Sequence, residues 1–253
     1  MPIDRKELAP LIAVIGCDGS GKSTVSEEIL AWVSNYGPAE TAHLGKQSGN
    51  IGRAVARWPL IGPWLDRLIV RKTDKTRTQR AGKKAPGFFV ALVLMAFLLR
   101  RLRRFQNMLA LRRKGLIIVT DRYPQLDLLG ASDSTDLSAT ASGSAVVRWL
   151  ARRELAAYEW MTSFRPDLVI RLNVDLDTAC ARKPDHRREL LRDKVAAIPL
   201  LKFNGAPIVD VDATLPLDEV LAAAKTAVTH TLTERGYTSQ THDFVPPARR
   251  AGV

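Results

Sequence analysis

The chain has 253 residues, of which 46% are hydrophobic, enough to bury one sizeable core. Its 38 Lys and Arg residues against 26 Asp and Glu give a net charge of +12, which favours anionic partners: nucleotides, nucleic acid or an anionic membrane surface. Two cysteines exclude a disulfide framework, and the N-terminus lacks the apolar run of a secretory signal, so we expect a cytoplasmic protein.

The first predicted element is a buried strand, LIAVI at residues 11–15, followed directly by the glycine-rich stretch GCDGSGKST. A strand that ends in such a loop and opens a helix leaves backbone N–H groups unpaired, and phosphate oxygens can accept hydrogen bonds from them. Lys22 is placed to bridge the β- and γ-phosphates of ATP, and the Ser23 hydroxyl to coordinate Mg²⁺. An ordinary glycine turn is the alternative. The predicted ATP-binding residues are Gly16, Asp18, Gly19, Ser20, Gly21, Lys22, Ser23 and Thr24.

Four later short runs are also predicted to be buried parallel strands, and helical segments lie between them. They cover residues 40–44, 116–121, 168–174 and 207–212. Strands that alternate with helices are typical of a parallel sheet covered on both faces. We therefore predict an α/β fold with a five-stranded parallel sheet flanked by helices.

A basic segment, Arg71 to Lys84, and a helix predicted over residues 86–114 separate the second and third strands. The first half of this helix, FFVALVLMAFLL, would rise only about 18 Å, well short of the ~30 Å hydrocarbon layer. It therefore favours a buried core helix over a transmembrane span. Basic clusters on both sides of it leave open a weak, peripheral association with an anionic membrane. A solvated loop is the alternative for the basic segment, which forms an insertion at about 71–85.

The third predicted strand ends in the tripeptide Asp121-Arg122-Tyr123. In an open parallel sheet the carboxyl ends of the strands form the ligand crevice, so Asp121 and Arg122 should face the phosphate loop. Asp121 could orient a water bound to Mg²⁺, and Arg122 could clamp a second phosphate. A salt bridge at the strand end is the alternative.

Taken together, these motifs resemble the thymidylate kinase family of nucleoside monophosphate kinases. GCDGSGKST matches the family's phosphate loop including its acid, and VTDRYP matches its strand end. RPDLVIRLNVDLDTACARK is similar to its fourth strand and lid approach, and IVDVDATLPLDEV to its last strand. The resemblance implies a P-loop NTPase three-layer fold that moves the γ-phosphoryl group of ATP to dTMP or a related pyrimidine nucleotide. It implies one kinase domain over residues 1–235, with a lid at about 182–194.

The same resemblance implies roles for particular side chains. Phe97 and Arg101, four residues apart on one helix, would stack on the acceptor base and hydrogen-bond it. Arg122 would bind the acceptor phosphate, and Asp18 a hydroxyl of the acceptor sugar. Some members carry an arginine in the phosphate loop where this chain has Gly19, so the catalytic cation would come from the lid. The lid arginines are Arg182, Arg187, Arg188 and Arg192, with Arg187 and Arg188 as the catalytic candidates.

Several departures from the family's pattern leave the acceptor open. Gln47, Leu126 and Gly130 stand where the family has an arginine, a serine and an aromatic residue, with Lys46 and Arg53 near the first. Two other interpretations therefore stay open. The chain could phosphorylate another small acceptor such as a sugar, or it could be a nucleotide-binding module that associates with a membrane or nucleic acid. A homodimer is also open, and no specific nucleic acid partner is expected.

Two segments have the composition of poorly ordered chain. Residues 130–145 are rich in Ser, Ala and Thr, and residues 236–253 end in VPPARRAGV. We expect the second segment to be a flexible tail.

Overall fold

A five-stranded sheet with the strand order β2-β3-β1-β4-β5 forms the centre of the protein, and every neighbouring pair of strands is parallel. The computed structural model describes residues 8–45, 88–129, 133–137 and 144–239. The strands are β1 (Leu11–Gly16), β2 (Ala39–Thr41), β3 (Ile117–Thr120), β4 (Leu168–Asn173) and β5 (Ile208–Asp212). This confirms the predicted α/β fold, which is that of a P-loop NTPase.

Strand β1 lies in the middle of the sheet because its apolar residues are covered on both faces. Residues 11–14 have no exposed surface, as expected for a continuous apolar run in a parallel sheet. It pairs with β3 on one side and with β4 on the other. The edge strand β2 is shorter than the predicted 40–44, although the Ala42 N–H still donates to the Val119 carbonyl at 2.9 Å.

Helices cover the sheet in the order that the sequence predicts. Within the described residues they are α1 (Lys22–Val33), α2 (Phe88–Arg113), α3 (Ala145–Ser163), α4 (Leu176–Arg182), α5 (Arg188–Ala197) and α6 (Leu217–Glu234). Helix α1 packs against α6, where the Trp32 indole N–H donates to the Thr229 hydroxyl at 3.1 Å. Helix α2 packs against α3. Two single-turn 3₁₀ helices, Ile198–Leu200 and Phe203–Gly205, connect α5 to β5.

Helix α2 matches the predicted 86–114 closely, but its apolar half is less buried than expected. Ala91 and Leu98 are buried, whereas Leu92 and Leu99 are 51% and 53% exposed. Other parts of the protein, mainly helix α3, therefore cover one side of the apolar half of α2. In the parts of the chain that the structure describes, every helix is too short or too polar to cross a membrane.

Part of the segment predicted to be poorly ordered is packed against α3, so that prediction is wrong for residues 133–137. Ser134 has no exposed surface and Leu137 is 6% exposed. The buried carboxylate of Glu154 accepts the N–H groups of Asp136 and Leu137 at 3.0 and 2.7 Å. These short bonds hold the segment in place because buried carboxylates accept strongly from backbone amides.

The first residues of the predicted tail are bonded to the end of α6. The Gly236 N–H donates to the Thr233 carbonyl and the Tyr237 N–H to the Leu232 carbonyl, both at 2.9 Å, which closes the end of α6. Residues 240–253 lie outside the described part of the chain, as do the insertion at 71–85, Lys46, Gln47, Arg53 and Gly130.

Asp167 ties the far end of the sheet together. Its carboxylate accepts the Leu11 N–H at 2.8 Å and pairs with Arg112 of α2 at 3.0 Å and Arg235 at 3.2 Å. The Asp167 side chain is 12% exposed and that of Arg112 is 4% exposed. One carboxylate therefore joins β1, α2 and the end of α6.

Candidate functional site

The phosphate loop has the backbone that its glycines predict. A Cβ on Gly16 would lie 2.3 Å from the Ser20 hydroxyl oxygen and 3.0 Å from the Leu172 carbonyl oxygen, so only glycine fits there. Gly21 has a φ of 83° and begins α1 without a side-chain cap. The first amides of a helix have no acceptor within it, so those at Lys22, Ser23 and Thr24 remain donors for an anion.

Lys22 folds back over this loop. Its ammonium donates to the Cys17 carbonyl at 2.5 Å. Burial lowers the pKa of Lys22, and the neighbouring Asp18 carboxylate opposes that shift. Burial likewise raises the pKa of the Cys17 thiol, so we give that sulfur no catalytic role. Lys22 is thus a half-buried cation at the loop, where its charge is screened less than it would be in bulk water.

The end of β3 meets the loop in a single cleft, as the sequence predicts from strand polarity. An Arg122 guanidinium nitrogen lies 3.6 Å from a carboxylate oxygen of Asp18. Gly45 leaves room for this arginine, since a Cβ there would lie 2.7 Å from the Arg122 Cδ. The cleft is lined by Ile15, Gly16, Cys17, Asp18, Lys22, Asp121, Arg122, Tyr123, Gln125, Asp133, Lys194, Ile198, Leu201 and Phe203.

Asp121 provides the oxygen atom that best fits a metal in this cleft. Its Oδ1 is buried and has no hydrogen-bond partner among the described residues, although His43 Nδ1 lies 3.5 Å away. Carboxylate and hydroxyl oxygens are the groups Mg²⁺ prefers, directly or through its bound water. Asp121 therefore fits the predicted Mg²⁺ site, and Ser23, the other predicted ligand, is exposed in the first turn of α1.

Lys194 enters the cleft from helix α5. Its ammonium hydrogen-bonds Asp18 Oδ2, and His186 Nε2 lies 3.9 Å from the same oxygen. Burial alone would raise the pKa of Asp18. The hydrogen bond and charge of Lys194, with the charges of Lys22 and Arg122, outweigh burial and hold that pKa below its usual value.

The predicted lid arginines lie around the cleft in different settings. Arg182 donates to the Ala213 carbonyl at 2.9 Å and to the Gly19 carbonyl at 3.4 Å. Arg188 pairs with Asp177 at 2.6 Å, with both side chains largely exposed. Arg187 precedes α5, and it and Arg192 are exposed.

Arg101, predicted to read the acceptor base, is buried at 3% exposure. It donates to the Tyr158 hydroxyl at 2.9 Å and to Asp133 Oδ1 at 3.1 Å. The other oxygen of Asp133 lies 3.6 Å from Arg122. Phe97 is half-buried on the same helix. One carboxylate thus connects the two arginines that the resemblance assigns to the acceptor.

Comparison with known proteins places the chain among relatives of similar length. It is 36% identical over 219 residues to "Uncharacterized ATP-binding protein YghR" of Escherichia coli K12, covering 86% of each chain. It is 38% identical to "Uncharacterized ATP-binding protein YghS" of the same strain, covering 86% of this chain and 92% of the relative. The chain belongs to the YghR/YghS family. No protein-family model matches it.

Three residues of the site in this YghR/YghS family member could not be identified from the sequence motifs: Lys194, Asp133 and Gly45. For Lys194 a signal was present: Leu191 and Ile198, three residues before and four after it, are apolar, so helical spacing puts all three on one face. Both apolar residues are buried, which shows that this face is turned inward. Asp133 and Gly45 carry no such local pattern.

Proposed function

We propose that the chain is an ATP-dependent phosphotransferase of the thymidylate kinase type, acting on dTMP or a related pyrimidine nucleoside monophosphate. The observation that carries this proposal is the meeting of Lys22, Asp121 and Arg122 in one cleft at the carboxyl ends of β1 and β3. A phosphate loop beside an acid suited to Mg²⁺ and a second cation suited to an anion supports a phosphotransferase. The names of YghR and YghS as ATP-binding proteins support the ATP-binding half of the proposal.

The donor would bind through the loop. The amides that open α1 would donate to its phosphates, and Lys22 would leave the Cys17 carbonyl to pair with the β- and γ-phosphates. Ser23 and Asp121 would hold Mg²⁺, directly and through water. When bound, Mg²⁺ would neutralise charge on the phosphate oxygens.

The acceptor would bind opposite the donor, against Arg122. An oxygen of its phosphate dianion forms a bond to the γ-phosphorus while the bond to the bridging oxygen of ADP breaks. ADP leaves with that electron pair, and no proton is transferred. Arg122 would orient the attacking phosphate, and Asp18 would accept a hydrogen bond from a sugar hydroxyl. The base contacts of Phe97 and Arg101 stay a prediction.

ADP release tests this proposal. ATP and Mg²⁺ are incubated with the chain and a panel of nucleoside monophosphates, nucleosides and common sugars. Lys22→Ala serves as the blank, and Lys202→Ala removes an equal charge at an exposed position. We expect ADP release with dTMP and, less selectively than is usual, with other pyrimidine monophosphates. A site that loses polar partners rejects near analogues less strongly. Turnover confined to a sugar would overturn the nucleotide acceptor but not the kinase.

The binding-module alternative has its own support on the surface of α2 and α3. Leu99 and Trp149 are exposed there, at 53% and 48%, among the exposed arginines Arg103, Arg152 and Arg153. Cationic helices with exposed Trp and Leu can associate with anionic bilayers. The module is favoured over the kinase if the protein binds ATP, releases no ADP with any acceptor of the panel, and binds anionic vesicles in a salt-sensitive way.

A further inference from the structure

The phosphate loop cannot hold a side chain at position 19. Gly19 has a φ of 90°, and a Cβ there would lie 2.9 Å from the carbonyl oxygen and 3.2 Å from the Cα of Ala179. Both atoms belong to the backbone of α4, which cannot move aside as a side-chain tip can. Helix α4 therefore closes the position at which a loop arginine would stand, so a second positive charge for the transferring phosphoryl group, besides that of Lys22, would come from another element.

Helix α5 supplies such a charge inside the cleft. The burial of Leu191 and Ile198 turns that face of the helix inward, which fixes the direction of Lys194. The Lys194 ammonium hydrogen-bonds Asp18, which in turn lies 3.6 Å from Arg122 and lowers the cost of burying Lys22. Lys194 is thus part of the same charged cluster as the two cations that would hold the donor and the acceptor.

Two of the lid arginines, Arg182 and Arg188, are placed less favourably than Lys194. Arg188 is 57% exposed and pairs with Asp177, away from Asp18. Arg182 donates to two backbone carbonyls, those of Ala213 and Gly19. A mobile ammonium on a four-carbon stem can exchange one oxygen ligand for another without the fixed fork geometry of a guanidinium.

We propose that Lys194 is the catalytic cation that meets the transferring phosphoryl group, in place of the lid arginines Arg187 and Arg188. This inference rests on the proposed function. As the donor enters, Lys194 moves from the Asp18 carboxylate to the γ-phosphoryl oxygens, where negative charge is spread during transfer. Asp18 is then left to accept a hydrogen bond from the acceptor. The ion pair between Lys194 and Asp18 therefore holds both side chains in the cleft before the substrates bind.

Binding of ADP with Mg²⁺ and aluminium fluoride, a mimic of the transferring group, tests the role without knowledge of the acceptor. We expect Lys194→Ala to weaken that binding by about 10²-fold, as for the loss of one preorganised donor, while ADP with Mg²⁺ alone changes by less than about threefold. Lys194→Arg should retain most of the affinity because it keeps the charge. Lys202→Ala is the matched control, and thermal melting confirms that each variant is folded.

Each outcome decides something different. Equal affinity of the wild type and Lys194→Ala for the fluoride complex overturns the inference and leaves the kinase proposal standing. A selective loss in Arg187→Ala or Arg188→Ala instead of Lys194→Ala also overturns it. A wild type that gains no affinity from aluminium fluoride has no site for a transferring phosphoryl group, which again overturns it. A wild type that binds neither ATP nor ADP overturns the proposed function as well.

Discussion

Gly19→Ala tests the close contact between the phosphate loop and α4. An alanine at a φ near 90° pays about 1–2 kcal/mol for the left-handed backbone. Its Cβ would also meet the Ala179 backbone at 2.9 Å, and forcing an extra carbon into a packed site costs about 1–3 kcal/mol. We therefore expect a total loss of about 2–5 kcal/mol, relieved in part by movement of the loop.

Gly115→Ala is the matched control for this prediction. Gly115 has a φ of 86°, and a Cβ there would meet nothing within 4 Å. Gly115→Ala should lose only the free energy of placing alanine in a left-handed backbone. The two variants should therefore differ in unfolding free energy by about 1–3 kcal/mol in urea titrations. ATP affinity should fall in Gly19→Ala and stay unchanged in Gly115→Ala. Equal unfolding free energies of Gly19→Ala and Gly115→Ala would refute the close contact between position 19 and α4. They would also refute that contact as the reason why the loop has no arginine there.

Three other perturbations have expected outcomes. Asp167→Ala should cost about 3–5 kcal/mol in urea unfolding because it leaves Arg112 buried without its ion pair, and a loss below about 1 kcal/mol would contradict that pairing. Gly45→Ala should raise the acceptor KM more than the ATP KM because its Cβ would displace Arg122, and an equal rise in both would argue against an acceptor site there. The lowered pKa of Asp18 adds stability above the unfolded pKa that is lost as pH falls through the folded pKa. The stability difference between wild type and Lys194→Ala should therefore shrink on acidification, and a constant difference would contradict it.

The strands and the phosphate loop could be predicted because their signals are local. Continuous apolar runs such as residues 11–15 and 168–170 have the composition of buried parallel strands, and the loop's glycines follow one of them directly. The polarity of the sheet then puts Asp121 and Arg122 at the same edge as Lys22. The shortened edge strand β2 was harder to predict, since an edge position leaves a strand less constrained by its neighbours.

The pairing of charges could not be predicted in the same way. Lys194 and Asp18 are 176 positions apart, and Asp133 lies in a segment whose composition is typical of a loop. Which carboxylate meets which cation depends on tertiary packing, because charged side chains have no spacing rule beyond one helix face. Composition also gave no sign that residues 133–137 are ordered, because the contacts of Asp133 with Arg101 and of the Asp136 and Leu137 amides with Glu154 are all to other parts of the chain.

The chain of contacts from Arg101 through Asp133 to Arg122 bears on the acceptor. Asp133 pairs with Arg101 at 3.1 Å and lies 3.6 Å from Arg122. An acceptor base that binds Arg101 and an acceptor phosphate that binds Arg122 would therefore each compete with the Asp133 carboxylate. Arg101 is 3% exposed and is also held by Tyr158, whereas the Arg122 side chain is 37% exposed. Releasing a buried arginine from its ion pair costs more than releasing an exposed one. An acceptor anion would therefore break the contact between Asp133 and Arg122 before the ion pair between Asp133 and Arg101. This order favours an acceptor recognised first through its charged group, with Arg101 holding Asp133 in place, and it predicts a weak preference among bases.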